Sequence, residues 1–310
     1  MNKTNRMFIC LFFCFIIGSG CNRVSGEPSS PKGVKNIKER PSLSIGLIPE
    51  RDLFDQLERY QPVADYLSNE IDVDIKLNLL NRYGNIVDYF SLLNLDAAFF
   101  GSFAFALTHS KLGVEPLARP ENADGVSTYH GLIFVRKDSN ITNAESMRGK
   151  VFVFVDKATT AGYLLPLFFF KTHDIKDYRA FFKETYFAGT HQNAIVDVLN
   201  RRADIGAAKN TVFDYLLNKD KRLQNKLVIL ARSPDVPENG LAVKKDFNAF
   251  LKKKLKEALL NMHKKPDGVL ALKRFGARKF IETTMSDYAS VYEYAQKIPL
   301  DLSTFDYMND

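Results

Sequence analysis

The chain has 310 residues, 45% hydrophobic and 25% charged, a balance that excludes a disordered chain and leaves room for two domains of ordinary size. Lys and Arg number 43 against 36 Asp and Glu, for a net charge of +7, but the two signs are interspersed, so the excess alone does not indicate nucleic acid. The cysteines are Cys10, Cys14 and Cys21, which excludes disulfides, thiolate metal sites and a cysteine nucleophile from everything after Cys21.

The N-terminus has the layout of an export signal. Lys3 and Arg6 form a basic start, and Met7 to Ile17 is an unbroken apolar run of 11 residues. As a helix that run would be ~16 Å long, about half of a bilayer's hydrocarbon core, so it predicts a cleaved signal and not a span. Gly18-Ser19-Gly20-Cys21 follows and resembles a bacterial lipobox, with Gly18 where an aliphatic residue is usual. Residues 1–20 are expected to be removed and Cys21 to be lipidated; the alternative is plain secretory cleavage that leaves a free thiol. Residues 21–41, rich in Ser, Gly, Pro and Lys, read as a disordered tether.

The body alternates strand and helix. Leu43–Ile48 reads as a strand ending at Pro49-Glu50. Apolar residues from Leu53 to Leu67 recur at helical spacing, with a possible bend at Pro62. Val73–Leu79 alternates as a strand, Asn85–Leu93 returns to helix, and Leu95–Phe100 is a buried strand closed by Gly101-Ser102. A helix over Phe103–Leu112 and a strand over Val114–Leu117 follow. The next third repeats the pattern: strands over Leu132–Val135, Val151–Val155, Glu184–Ala188, Asp204–Ala208 and Leu227–Ala231, with helices over Thr160–Phe170, His191–Asn200 and Thr211–Asn218. The tail reads as helical. This order predicts an α/β fold with mainly parallel sheets. Breaks near Ser127–Gly131 and Ser233–Gly240 predict two hinge crossings. Residues 42–130 and 238–310 would form one discontinuous lobe and 131–237 the other, with a ligand cleft between them. The lysines from Lys244 to Lys256 read as the solvated face of a helix.

Enzyme signatures are missing: there is no His-Glu-x-x-His, Gly-x-Ser-x-Gly, P-loop or Gly-x-Gly-x-x-Gly, and no histidine pair at metal-ligand spacing. What remains is a set of strand-to-helix turns. Thr159-Thr160-Ala161-Gly162 opens a helix where free backbone N–H groups and the helix dipole meet, a natural anion cradle; on local sequence alone the ordinary threonine N-cap is the commoner reading. Phe187-Ala188-Gly189-Thr190-His191 is a second such turn, with His191 as a donor or a plain first-turn residue, and Gly101-Ser102 a third. Tyr83, Tyr129 and Glu50 sit in loops or at strand ends. Asp204 is either a local salt-bridge partner of Arg201 or Arg202, or a carboxylate that accepts from a protonated oxyanion and so rejects sulfate.

Taken in order, these turns resemble one family, the phosphate/phosphite/phosphonate solute-binding proteins of bacterial ABC importers. The similarity runs from about Leu43 to about Ala242 through YHGLIFVRKDS (129–139), Gly149-Lys150, Asp156, TTAGYLLP (159–166), FAGTH (187–191) and VLNRRAD (198–204). It implies a type II periplasmic-binding fold whose lobes close on a small phosphorus oxyanion, held by Thr159, Thr160, the N–H groups of Ala161 and Gly162, and His191. Asp204 would accept from the ligand's P–OH, Tyr83, Tyr129 and Ser102 would line the cleft, and Glu50 would meet a cationic or hydroxyl substituent. It further implies no catalysis, no cofactor or metal, no nucleic-acid partner, a monomer, and an ABC permease in the membrane, with the lipid on Cys21 as a separate membrane anchor. The alternatives are a sensor that presents its ligand to a membrane kinase, or an extracellular enzyme using His191 and Asp204. Three positions depart from the family pattern: Ala161 where a serine is usual, Phe105 where a tyrosine is usual, and His130-Gly131 after Tyr129.

Overall fold

The computed structural model describes residues 40–309. The expected signal peptide, the lipidation of Cys21 and most of the tether lie outside the described residues. Among the described residues there are thirteen strands: β1 (Ser42–Leu47), β2 (Asp74–Leu79), β3 (Ala97–Phe100), β4 (Glu115–Glu121), β5 (Thr128–Tyr129), β6 (Gly131–Arg136), β7 (Val151–Phe154), β8 (Glu184–Phe187), β9 (Ile205–Lys209), β10 (Leu227–Arg232), β11 (Val236–Pro237), β12 (Gly240–Val243) and β13 (Lys279–Glu282).

They form two large sheets. The first has the order β13-β4-β12-β3-β1-β2 and the second β10-β6-β9-β7-β8. The short strands β5 and β11 pair antiparallel where the chain passes from one sheet to the other, Val236 opposite Tyr129 and Pro237 opposite Thr128. The fold class is therefore the two-lobed α/β architecture expected, but the sheets are mixed and not mainly parallel. β1, β2 and β3 run parallel, while β12, β4 and β13 join antiparallel. In the second sheet β7 is parallel to β8 and β9, while β6 and β10 are antiparallel. The tail is not all helical either: it contributes β12 and β13 to the first sheet.

Apolar side chains from both faces fill each lobe. Tyr60, Phe99, Phe275 and Phe280 meet edge-on or tilted on one side of the first sheet. Phe152, Phe154, Phe170 and Phe182 do the same in the second. Local chemistry sets the helix ends. Asp52 accepts from the Phe54 N–H to start the helix Leu53–Ile71, which continues through Pro62, and Asp72 closes it in the left-handed conformation at φ 57°.

The expected helix over Thr160–Phe170 opens instead as a π-helical turn, Thr160–Leu164, before becoming α-helical over Leu165–Thr172. Leu164 and Leu165 donate to carbonyls five residues back, at Thr159 and Thr160. Such wide turns occur often at functional sites. The C-terminal segment does not stay on the first lobe. The Tyr307 hydroxyl donates to Asp88 there at 2.7 Å, but the Asn309 amide donates to Asp156 and its oxygen accepts from the Lys157 N–H on the second lobe, both at 3.0 Å.

Candidate functional site

In both lobes the parallel strands point their C-terminal ends at the junction, the place where open α/β sheets present ligand-binding turns. β1 delivers Glu50 and β3 delivers Gly101-Ser102; across the junction β7 leads to Thr159–Gly162, β8 to Gly189-Thr190-His191, and β9 ends in Lys209. Glu50, Ser102, Thr159, Thr160, His191, Lys209 and Asn239 are all buried polar residues.

A chain of contacts joins these turns. The Tyr83 ring packs edge-on to His191 with centroids 5.8 Å apart. The Lys209 N–H donates to His191 Nδ1 at 3.2 Å. Lys209 Nζ donates to Glu50 at 2.9 Å, to Asn239 Oδ1 at 3.0 Å and to Glu238, and it stands 4.3 Å from the centre of the Tyr129 ring. The Tyr129 hydroxyl in turn meets Ser102 and Thr160. Thr160 Oγ1 accepts from the Phe103 N–H at 2.8 Å, which ties the second lobe's turn to the first lobe's helix. Asp52 with Gln192, and Asp55 with Tyr215 and Lys219, add further contacts between the lobes.

The protonation pattern favours neutral hydrogen-bond donors facing the junction. Burial pushes the His191 pKa down to about 3, so the ring is neutral. Because Nδ1 accepts a backbone N–H, the ring proton resides on Nε2, which becomes the donor. Burial likewise raises the Tyr83 phenol well above its ordinary value, and its buried hydroxyl has no hydrogen-bond partner among the described residues. The Asn239 amide nitrogen is in the same position. The first-turn N–H groups of Thr160, Ala161 and Gly162 have no acceptor within their helix, by the geometry of a helix start.

The two threonines differ. The Thr159 hydroxyl donates to the Asp156 carbonyl at 2.6 Å, so its proton serves its own turn. The Thr160 hydroxyl accepts from the Phe103 N–H and also meets the Tyr129 hydroxyl, so it links the two lobes' turns. Ser102 also spends its proton, on the Pro237 carbonyl at 2.6 Å. Beside the turn, burial raises the Asp156 carboxyl, against the Ala158 N–H, Arg82 and Asn309.

Two expectations are corrected. Asp204 lies immediately before β9, five residues or about 16 Å of extended chain from Lys209. It accepts from Arg136 at 3.3 Å and from the Val151 N–H at 3.0 Å, and so pins the far end of the sheet instead of facing the cleft. Its ion-pair partner is neither Arg201, which pairs with Asp138, nor Arg202, which pairs with Asp197. Glu50 is not free for a ligand substituent either: Lys209 and Arg59 hold its oxygens. Burial alone would raise this carboxyl, but the two cations outweigh it and bring it down to about 2. Phe105, where the family pattern has a tyrosine, packs in the core against Tyr288, Phe100 and His109, away from the junction.

Lys209, Glu238, Asn239 and Arg59 join the site without a sequence motif that marks them: Lys209 lies one residue beyond the apolar strand pattern that ends at Ala208, and Glu238-Asn239 lies in the break between Ser233 and Gly240. A cation at the C-terminal end of a strand of small buried residues was the available signal.

A family profile described as the periplasmic substrate-binding protein of phosphonate ABC transporters matches residues 45–288. The chain belongs to this family. It is 23% identical over 248 residues to the phosphonates-binding periplasmic protein of Escherichia coli, covering 78% of this chain and 72% of that protein. Its fold superposes with a TM-score of 0.78, at 19% identity and over 84% of this chain and 87% of the other, on a binding protein component of an ABC phosphonate transporter from Pseudomonas aeruginosa. With PhnD1 of Prochlorococcus marinus, solved in complex with methylphosphonate, the TM-score is 0.74 at 23% identity, over 83% of this chain and 98% of that one. The family is one of transport proteins that bind substrate. Among the described residues no helix is long and apolar enough to cross a membrane.

Proposed function

We propose that the junction between the lobes captures a small phosphorus oxyanion outside the cytoplasmic membrane and passes it to an ABC permease. What supports this reading is that contacts through Tyr129 and Lys209 link the buried turns that carry uncharged donors: the N–H groups of the Thr160 turn, His191 Nε2 and the Tyr83 hydroxyl. A helix N-terminus supplies the positive end of a dipole there. Micromolar affinity needs about −8 kcal/mol, and hydrogen bonds to a charged group contribute roughly 1.5–3 kcal/mol each, so four to six are enough once water is excluded. With Asp204 at the other end of the sheet, the expected rejection of sulfate loses its carboxylate. Selectivity would rest on the geometry of the donors.

Calorimetry with phosphate, phosphite and methylphosphonate tests the reading. At least one should bind, and Thr160→Ala should weaken it by about 1–3 kcal/mol, the loss of one charge-assisted hydrogen bond. Asp204→Asn serves as the control and should leave affinity unchanged. Unaltered binding in Thr160→Ala would remove the turn from the site. The lipid anchor is a separate part of the proposal and rests on the sequence around Cys21. Cell fractionation should find the wild-type chain with the membrane and Cys21→Ser in the soluble extracytoplasmic fraction; continued membrane association of that variant would refute the anchor.

A further inference from the structure

Lys209 is a buried charged group brought into the junction from the second lobe, and the capture mechanism does not use it. Its side chain is 2% exposed. A lysine ammonium has three donors, and here all three have acceptors: Glu50 at the end of β1, and Glu238 and Asn239 between β11 and β12. The Tyr129 ring face covers it at 4.3 Å. Two carboxylates, an amide oxygen and an aromatic face are the equipment of a receptor for a primary ammonium ion. Every one of those acceptors comes from the first lobe or the hinge, and the ammonium comes from the other lobe.

We propose that Glu50, Glu238, Asn239 and Tyr129 form an ammonium cage filled by the protein's own Lys209, making Lys209 the residue that excludes oxyanions with a cationic substituent. The charges support this. Glu50 and Glu238 are matched by Lys209 and Arg59, and His191 is neutral, so no carboxylate in the cluster is left to receive a second cation. An aminoalkyl ligand would have to displace a buried ammonium already engaged on three sides and leave it unpaired. An oxyanion with a hydrogen or an apolar substituent faces no such cost. The ligand is then a phosphite- or alkylphosphonate-like anion and not an aminoalkylphosphonate.

This inference rests on the reading of the junction as an oxyanion site, and two measurements separate their failures. In calorimetry on the full chain, methylphosphonate should bind at least tenfold more tightly than 2-aminoethylphosphonate, and Lys209→Ala should narrow or reverse that ratio by at least tenfold. Equal or tighter binding of the amino compound by the wild-type chain would overturn the proposal. The second measurement needs no phosphorus ligand. The melting temperature of Lys209→Ala should fall, and n-propylammonium should restore it while tetramethylammonium, which has no N–H donors, does not; the wild-type chain should respond to neither. A variant that folds only with n-propylammonium present counts as rescue. Absence of rescue, or equal rescue by both cations, would overturn the cage. If no phosphorus compound binds while the amine rescues, the oxyanion reading fails and the cage stands.

Discussion

Gly162→Ala should destabilise the folded protein and weaken oxyanion binding together. A Cβ at this position would lie 2.4 Å from both Cβ and Cγ2 of Val155 and 2.7 Å from Thr159 Oγ1. Those atoms belong to a strand end and a buried turn, not to a side chain free to swing away, so the backbone itself has to move. The Val155 N–H donates to the Gly162 carbonyl at 3.2 Å, and this bond is what fastens the turn to the strand that leads into it. Overpacking of this kind costs typically about 1–3 kcal/mol. The same shift would re-aim the N–H groups of Thr160, Ala161 and Gly162. Urea unfolding and calorimetry on one preparation check both effects. Native stability with unchanged affinity would mean the turn tolerates the methyl group and is looser than the packing implies.

The second large effect is on acid stability. The His191 pKa is lowered from 6.5 to about 3 by burial, so the folded state holds the ring neutral while the unfolded chain takes up a proton below 6.5. A lowered folded-state pKa contributes stability that is fully present above 6.5 and is lost as the pH falls toward 3. Between pH 6.5 and 4.5 this amounts to about 2 kcal/mol, since each pH unit is worth at most about 1.4 kcal/mol per proton. Glu50, held at about 2 by Lys209 and Arg59 against the opposing effect of burial, adds a loss of the same sign that begins near 4.5 and continues toward 2. Asp156, raised by burial, acts in the opposite sense, but it is common to wild type and variant. His191→Asn should therefore lose about 2 kcal/mol less than the wild-type protein between pH 6.5 and 4.5, measured by urea unfolding across that range. Parallel pH profiles would show that His191 is solvated or charged in the folded state. The neutral ring also means that His191 itself adds no pH dependence to ligand affinity between about pH 5 and 8.

The two effects share a cause. The junction is buried and crowded, so a methyl group or a proton introduced there has nowhere to go. This is the condition under which a few neutral donors bind an anion well, because water neither competes for them nor screens them.

Much of this protein was legible in the order of its residues. Leu53, Leu57, Tyr60, Val63, Ala64 and Leu67 repeat at helical spacing, and the buried strands Ala97–Phe100 and Val151–Phe154 are short apolar runs ended by turn residues. These features are local, and the alternation of strand and helix was enough to define an α/β fold. The turns that open on the junction, at Ser102, Thr160 and His191, carry their own signals because helix starts demand small polar residues. Strand direction was not legible: β12 and β13 are only four residues each, too short for periodicity, and the chain reaches them after recrossing between the sheets. The π-helical start at Thr160 was hidden for a related reason, since a wide turn and an α-helical one use the same apolar pattern.

What only the tertiary structure decided is which charges meet. Asp204 had two arginines beside it in sequence, yet its partner is Arg136, 68 residues away. Glu50 was placed at the cleft by its strand end, but its state depends on Lys209, 159 residues further along and on the opposite lobe. Local sequence sets the secondary structure because those energies arise within a few residues. An ion pair between lobes exists only after both are folded and docked, so its partners leave no spacing in the chain by which to recognise them.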